Sequence, residues 1–347
     1  MIESNRMKHY FFYISAFVII IGGLKMASQA VIIIFLSIFI SSVLSPVLAK
    51  LQKYKVPKFL AYLILILMIF LLILFIFFII SGSLKDFVAN LPNYEIKLKE
   101  LTLNSFSVLN EYGFNLDVKT ILDELNFGAL FNFTATTAGS IGLFFSKMLL
   151  VFIGVAFILV ESNNFEKKID IIFKKNKGAQ RHFKLFSDNI HKYFTIKTLT
   201  SLLTGTMITF LLILFDIEYP ILWGFLGFLL NFIPVIGSFI ASVPALLLAL
   251  IHYELTTVAW LAFAYLIINV TISNIIEPKY MGQGLGLSAM IIFFSLIFWG
   301  WVLGPAGMFL AVPLTMTLKI AFDSNPNTEW IGILLSNLSK REKLISK

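Results

Sequence analysis

Apolar runs of membrane-spanning length follow one another along the first 80 residues. They cover residues 10–24, 27–48 and about 59–80, and a transmembrane helix needs about 20 mostly apolar residues. Basic residues precede the first run, but no clear small-x-small cleavage site follows it, so an uncleaved span is expected rather than a signal peptide. Two further spans are predicted at about 141–160 and 199–215.

The polar segment between the third and fourth spans has a helical pattern of its own. Its apolar positions recur at alternating spacings of three and four, as in one stripe of an amphipathic helix: Leu91, Tyr94, Leu98, Leu101, Ser105, Val108 and Tyr112. Packing against its own domain is the favoured interpretation, and self-association is the alternative, since two heptads fall short of a coiled-coil signal. Residues 161–198 are basic and amphipathic, which predicts helices at the headgroups of anionic lipid.

The last third of the chain contains two apolar runs that are broken in the middle. The first, 221–251, is interrupted at 234–237, and the second, 288–322, at 304–307. Proline removes a backbone donor and glycine permits a sharp turn. Each run therefore predicts a hairpin that enters and leaves the membrane on one face, and an unbroken span at about 257–272 lies between them.

The two breaks have the same order of residues. Each has Pro, Gly, a small residue and then Val-Pro, at Pro234, Gly237, Ala241, Pro244 and at Pro305, Gly307, Ala311, Pro313. A structural repeat is one interpretation, and chance similarity in apolar sequence is the other. Paired Gly/Pro-interrupted segments point to a transporter's binding site, because broken helix ends expose backbone groups that can hold a polar solute.

Composition and charge support a membrane protein. The chain is 59% hydrophobic and 13% charged, whereas soluble domains have about 25% charged residues. The net charge is +8, but the bases lie in short loops beside apolar runs, which indicates orientation rather than binding to nucleic acid. They predict that both termini are cytoplasmic. The chain has no cysteine, so it has no disulfide and no thiolate metal site.

The sequence therefore predicts an all-α polytopic membrane protein. About eight transmembrane elements are expected, including the Pro/Gly-broken hairpins, with amphipathic helices outside the bilayer. The predicted segments are a three-span region (1–82), an extracytoplasmic helical insert (83–140), a fourth span (141–160), cytoplasmic basic helices (161–198), a transport core with the two broken hairpins (199–322) and a cytoplasmic tail (323–347).

Candidate functional residues cluster around the breaks. Glu277 is the strongest ionisable candidate, because a carboxylate beside apolar helices is costly and usually functional; the alternative is an interfacial acid paired with Lys279. Asn231, Ser238, Asn269 and Asn274 could bond a polyhydroxylated solute or neighbouring helices. The predicted pathway comprises Asn231, Pro234, Gly237, Ser238, Asn274, Glu277, Gly304 and Gly307, and the predicted hinges are Pro244, Pro278, Gly282, Pro305 and Pro313.

Motifs of enzymes are not found in the sequence. It contains no Walker loop, HExxH motif or nucleophile elbow. The glycine-rich run that begins at Gly282 does not follow a predicted strand, as a dinucleotide-binding loop must. We therefore expect neither an enzyme nor a cofactor or metal site.

Three motifs resemble the AI-2E family of bacterial membrane proteins, the autoinducer-2 exporter family. They are Phe232-Ile-Pro-Val-Ile-Gly-Ser with Ala-Ser-Val-Pro downstream, Ile276-Glu-Pro-Lys-Tyr-Met-Gly, and Gly304-Pro-Ala-Gly-Met-Phe-Leu-Ala-Val-Pro. Many relatives have a second Pro in place of Ser238 and His-Pro in place of Ser288-Ala289. The resemblance implies an inner-membrane exporter of a small polar solute such as autoinducer-2. It also implies a homo-oligomer, expected to be a pentamer, in which one part of each subunit moves as an elevator.

Two other functions stay open. Some members of the family resemble sodium (or lithium)/proton antiporters, for which a monovalent cation and protons would be the partners. Antiport usually needs a deep carboxylate, and Glu277 is the main candidate. The second alternative is a non-transporting membrane scaffold that binds partners through residues 83–140, although a scaffold has little need of two broken hairpins.

Overall fold

A computed structural model describes residues 15–111, 127–172, 177–234, 236–281, 286–324 and 327–336. The helices are α1 Ser15–Met26, α2 Ser28–Lys53, α3 Lys58–Glu111, α4 Phe127–Ile172, α5 Lys177–Leu214, α6 Pro220–Leu230, α7 Ile236–His252, α8 Leu255–Val270, a π-helix Thr271–Ile276, α9 Glu277–Met281, α10 Ala289–Leu303, α11 Pro305–Asp323 and α12 Glu329–Leu335. Within these ranges β-pairing is limited to an isolated bridge between Leu287 and Ser336. The prediction of an all-α protein is confirmed.

Five of the described helices are long and apolar enough to cross a membrane, by length and composition. They are Ser28–Lys53, Lys58–Asn104, Ser187–Leu214, Leu255–Met281 and Pro305–Asp323. Shorter apolar helices of 10–17 residues include α6, α7 and α10. These three are arms of the two broken runs, so the breaks divide each run into helices as the sequence predicts.

Several helices continue past the segment boundaries that the hydropathy pattern suggests. α3 joins the third span to the first part of the polar insert, α4 joins residues 127–140 to the fourth span, and α5 joins the basic segment to the fifth span. Hydropathy changes where a helix leaves an apolar environment, but the backbone hydrogen bonds continue through that point. The boundaries at 82/83, 140/141 and 198/199 therefore fall inside helices.

The described residues belong to two compact units. The first draws on Met1–Leu63, Leu150–Ile196 and Met281–Lys347, and the second on Ile64–Leu149 and Lys197–Tyr280. The hairpin α6–α7 is part of the second unit, and the hairpin α10–α11 is part of the first. The single transport core expected from the sequence stays a prediction.

The amphipathic stripe of α3 packs inside the second unit. Tyr94 and Leu98 are buried in its hydrophobic core, and Leu91 packs against that core from a partly buried position. The packing interpretation is confirmed for these residues. Leu101 is exposed, the side chains of Ser105 and Val108 are not described, and Tyr112 lies outside the described residues.

In the first unit, small and aromatic side chains hold α2 against α4, α5 and α11. The Ser37 hydroxyl donates to the Val151 carbonyl oxygen at 3.1 Å. Phe39 makes edge-on contacts with Phe194 and Phe309, with ring centroids 4.5 and 5.4 Å away. Serine is a common contact residue between membrane helices, because its small side chain permits close approach and bonds across the interface.

Candidate functional site

The first break fixes Asn231 inside the second unit. α6 ends at Leu230 and α7 begins at Ile236. The Asn231 N–H donates to the Gly227 carbonyl oxygen at 2.9 Å, which caps α6. The Asn231 side chain is buried, and its Nδ2 donates to the Ser201 hydroxyl oxygen at 3.0 Å. A buried hydrogen bond therefore ties the break to α5.

Several backbone N–H groups in the turn at this break are hydrogen-bonded to carbonyl oxygens of the same segment. The N–H groups of Ile233 and Gly237 donate to the carbonyl oxygens of Leu230 and Ile233, at 2.8 and 3.2 Å. The expectation that broken helix ends leave free backbone groups for a solute is therefore wrong for these donors. Pro234 and Ser238 are half-buried beside the turn.

Glycines let the two arms of each hairpin approach closely. A Cβ on Gly237 would overlap the Leu230 carbonyl oxygen, and a Cβ on Gly307 would overlap the Trp299 carbonyl oxygen. Each glycine lies in the first turn of the second arm, against the end of the first arm. Between α10 and α11, Gly304 has φ +70°, which glycine adopts easily. The shared contact supports the repeat interpretation of the two breaks.

Glu277 lies on a helix and forms a buried ion pair with Lys197. α8 continues through the π-helix Thr271–Ile276 into α9, which begins at Glu277. Lys197 Nζ donates to Glu277 Oε2 at 2.8 Å and to Oε1 at 3.0 Å. The side chains of Lys197 and Glu277 are only 4% and 16% exposed. The partner of Glu277 is thus Lys197 rather than the exposed Lys279.

Lys197 begins a row of buried polar residues on α5. We call this set the polar row; its members are Lys197, Thr200, Ser201 and Thr204. The spacing of three and four places them on one face of the helix. The sequence interpretation assigned Lys197 to a headgroup-facing basic segment, which is wrong for this residue. The sequence signal for this buried row is the recurrence of polar residues at helical spacing at the start of an apolar run.

The polar row joins the hairpin break to the π-helix. Ser201 bonds to Asn231 at the break, and Lys197, one turn earlier on α5, bonds to Glu277 after the π-helix. π-Helical turns are frequent at functional sites. The ion pair is neutral overall, and the amide and hydroxyl groups can exchange hydrogen bonds with a polar solute. This arrangement is the candidate site.

The remaining predicted pathway residues and the predicted hinges are not members of the polar row and make none of its described bonds. Asn274 is exposed on the π-helix, Gly282 lies outside the described residues, and Gly304 and Gly307 belong to the first unit. Among the predicted hinges, Pro244 and Pro313 lie within α7 and α11, Pro278 lies in α9, and Pro305 is the first residue of α11. Helix α7 continues through Pro244 and α11 through Pro313, so hinge roles stay predictions.

In the part of the chain that the structure describes, no group of three or more His, Cys, Asp or Glu side chains could hold a metal ion.

Comparison with known proteins shows where the chain belongs. The family model for "AI-2E family transporter" matches residues 14–327. A Haemophilus influenzae protein named "Putative transport protein" is 35% identical over 331 residues, which cover 94% of this chain and 95% of that protein. The Escherichia coli "AI-2 transport protein TqsA" is 30% identical over 323 residues, covering 93% and 94% of the two chains. The chain therefore belongs to the AI-2E family of transporters and is an integral membrane protein.

Proposed function

We propose that this transporter exports a small polar solute of the autoinducer-2 type across the bacterial inner membrane. The observation that carries the proposal is the polar row, which is buried within a highly apolar chain and bonded to Asn231 and Glu277. Polar and ionisable groups inside a membrane protein are costly and typically mark a transport route. The name of the Escherichia coli relative, an AI-2 transport protein, supports the choice of cargo.

The two bonds of the polar row suggest how the route is closed. The Asn231 amide and the Ser201 hydroxyl can each bond a solute hydroxyl instead of one another. The Lys197–Glu277 pair must likewise separate before a solute can pass between its members. We propose that movement of the hairpin core, of the elevator type that the family resemblance implies, opens both contacts. The active form in this proposal is a homo-oligomer, a pentamer, with both termini in the cytoplasm.

A sodium or lithium/proton antiporter is the alternative, and Glu277 is the observation that favours it. A buried carboxylate can bind a cation or a proton when its partner moves away. In the structure, however, Lys197 neutralises Glu277. A cation bound beside this pair would be a buried charge without compensation, which is very costly. The arrangement therefore fits a neutral solute better than a cation.

Flux measurements on purified protein in liposomes test this proposal. Movement of autoinducer-2 and of sodium is followed under an imposed pH gradient, with protein-free liposomes as the control. The expected result is movement of autoinducer-2 without sodium flux. Sodium flux driven by the pH gradient, without autoinducer-2 movement, would establish the antiporter instead, and movement of neither would favour the scaffold. A Glu277→Gln variant with unchanged pH dependence would exclude proton coupling through this residue.

A further inference from the structure

Two buried oxygen atoms on α8 have no hydrogen-bond partner among the described residues. They are the hydroxyl oxygen of Tyr265 and Oδ1 of Asn269, and the Tyr265 residue is only 2% exposed. Residues four apart on a helix lie one above the other on the same face. Buried polar atoms are almost always bonded, and an exception points to a missing partner such as an ordered water, an ion or a ligand.

The π-helix places Glu277 on the same face as these two atoms. Two turns of an α-helix take about seven residues, and a turn with i→i+5 bonding adds about one more. Asn269 and Glu277 are eight residues apart, so the π-helix brings them back into line. Ile272 lies between them in the sequence and is 1% exposed, whereas Val270 is exposed. Both facts agree with an alignment in which Asn269, Ile272 and Glu277 share the buried face.

This face of α8 points into the second unit. Tyr265 belongs to the same hydrophobic core as Leu261 of α8 and Leu212 of α5. The opposite face of α8 is exposed and apolar, with Phe263 and Ile267. The unpartnered oxygens are therefore directed toward the interior of the unit rather than toward lipid.

We propose that Tyr265 and Asn269 bind the hydroxyl groups of a neutral, polyhydroxylated solute. The proposal rests on the proposed transport function and names the side chains that select its cargo. An amide oxygen accepts a hydrogen bond, and a phenol both donates and accepts, so one solute hydroxyl can donate to Asn269 and another can accept from Tyr265. A cation fits this face poorly, because Lys197 already neutralises Glu277.

Transport kinetics of Tyr265→Phe and Asn269→Leu in proteoliposomes, with autoinducer-2 as the probe, test the role of each side chain. Loss of one solute hydrogen bond should raise KM about 3- to 10-fold with little change in kcat. The matched control is Tyr253→Phe, which removes a hydroxyl that donates to the Asp216 carbonyl oxygen at 3.0 Å and should leave KM unchanged.

Thermal melting separates binding from a structural role. The Tyr265 hydroxyl has no described partner in the free protein, so Tyr265→Phe should melt at the wild-type temperature or above it. An unchanged KM for both variants, or a clear loss of melting temperature in Tyr265→Phe, would overturn the proposal.

Cysteine labelling keeps the site testable even if autoinducer-2 is not the cargo. The chain has no cysteine, so Asn269→Cys introduces a single thiol. A small water-soluble thiosulfonate should label it in membranes, and it should not label Ile267→Cys, whose position lies on the opposite, exposed apolar face. Labelling at 269 without autoinducer-2 flux by the wild type would support a polar site and refute the proposed cargo. Absence of labelling at 269 from either side of the membrane would refute the site itself.

Discussion

Removal of either member of the Lys197–Glu277 ion pair should destabilise the protein, and by unequal amounts. Lys197→Met leaves a carboxylate whose side chain is 16% exposed, whereas Glu277→Met leaves an ammonium group on a side chain that is 4% exposed. Breaking a buried pair from one side costs about 3–5 kcal/mol. Water reaches the carboxylate more easily and can compensate for part of the loss. The loss of unfolding free energy should therefore lie at the upper end of this range for Glu277→Met and at the lower end for Lys197→Met.

The double variant and an exposed ion pair provide the controls. Replacing both members by apolar residues leaves no unpaired charge and is often neutral or stabilising, so Lys197→Met/Glu277→Met should be more stable than either single variant. The Lys99–Glu95 pair has the same N–O distance of 2.8 Å, but its side chains are 51% and 33% exposed. An exposed pair at i,i+4 spacing contributes about 0.3–0.5 kcal/mol, so Glu95→Met should be nearly neutral.

Equilibrium unfolding in mixed detergent–SDS micelles, followed by tryptophan fluorescence, measures these free energies. The four proteins of the double-mutant cycle are unfolded under the same conditions, together with Glu95→Met. Single variants no less stable than Glu95→Met would refute the burial argument. A double variant that loses the sum of the two single losses would show that Lys197 and Glu277 are not coupled.

Two further predictions concern the hairpin breaks. Gly237→Ala and Gly307→Ala should each lower the free energy of unfolding by about 3 kcal/mol, because the new Cβ meets a backbone carbonyl oxygen that cannot rotate away. The control is Gly82→Ala, which should be neutral or stabilising because no heavy atom lies within 4 Å of the new Cβ. Thermal melting measures this difference, and equal melting temperatures for all three variants would show that the close contacts do not affect stability. Asn231→Ala should cost about 0.6 kcal/mol, a typical value for a bond between membrane helices, and adding Ser201→Ala should cost little more. Fully additive losses in unfolding experiments would contradict the bond between them.

The breaks in the two apolar runs could be predicted because their signals are local. Proline lacks the backbone donor that a helix interior needs and glycine permits a sharp turn, so the Pro/Gly pairs at 234–237 and 305–307 predict the break after Leu230 and the break at Gly304. The contact of each glycine with the preceding arm needed the structure, because it depends on how the arms cross.

The ion pair could not be predicted because it depends on a distant contact. Lys197 and Glu277 are 80 residues apart, and Lys279, two positions from Glu277, was the nearer candidate. The π-helix also has no sequence signal in Thr271–Ile276, yet it determines which face of α8 continues into Glu277. Asn269 is a candidate from the sequence because its amide lies near the breaks, whereas Tyr265 is not, because an aromatic residue in an apolar span is typical of ordinary core.

The most direct test of the account is the rate at which autoinducer-2 enters proteoliposomes that contain equal amounts of folded wild type or Asn231→Ala. The account predicts entry above that of protein-free liposomes for the wild type. It predicts a rate about 3- to 10-fold different for Asn231→Ala, since one hydrogen bond on the route is lost. Wild-type entry equal to that of protein-free liposomes would contradict the central claim that this protein moves a small polar solute.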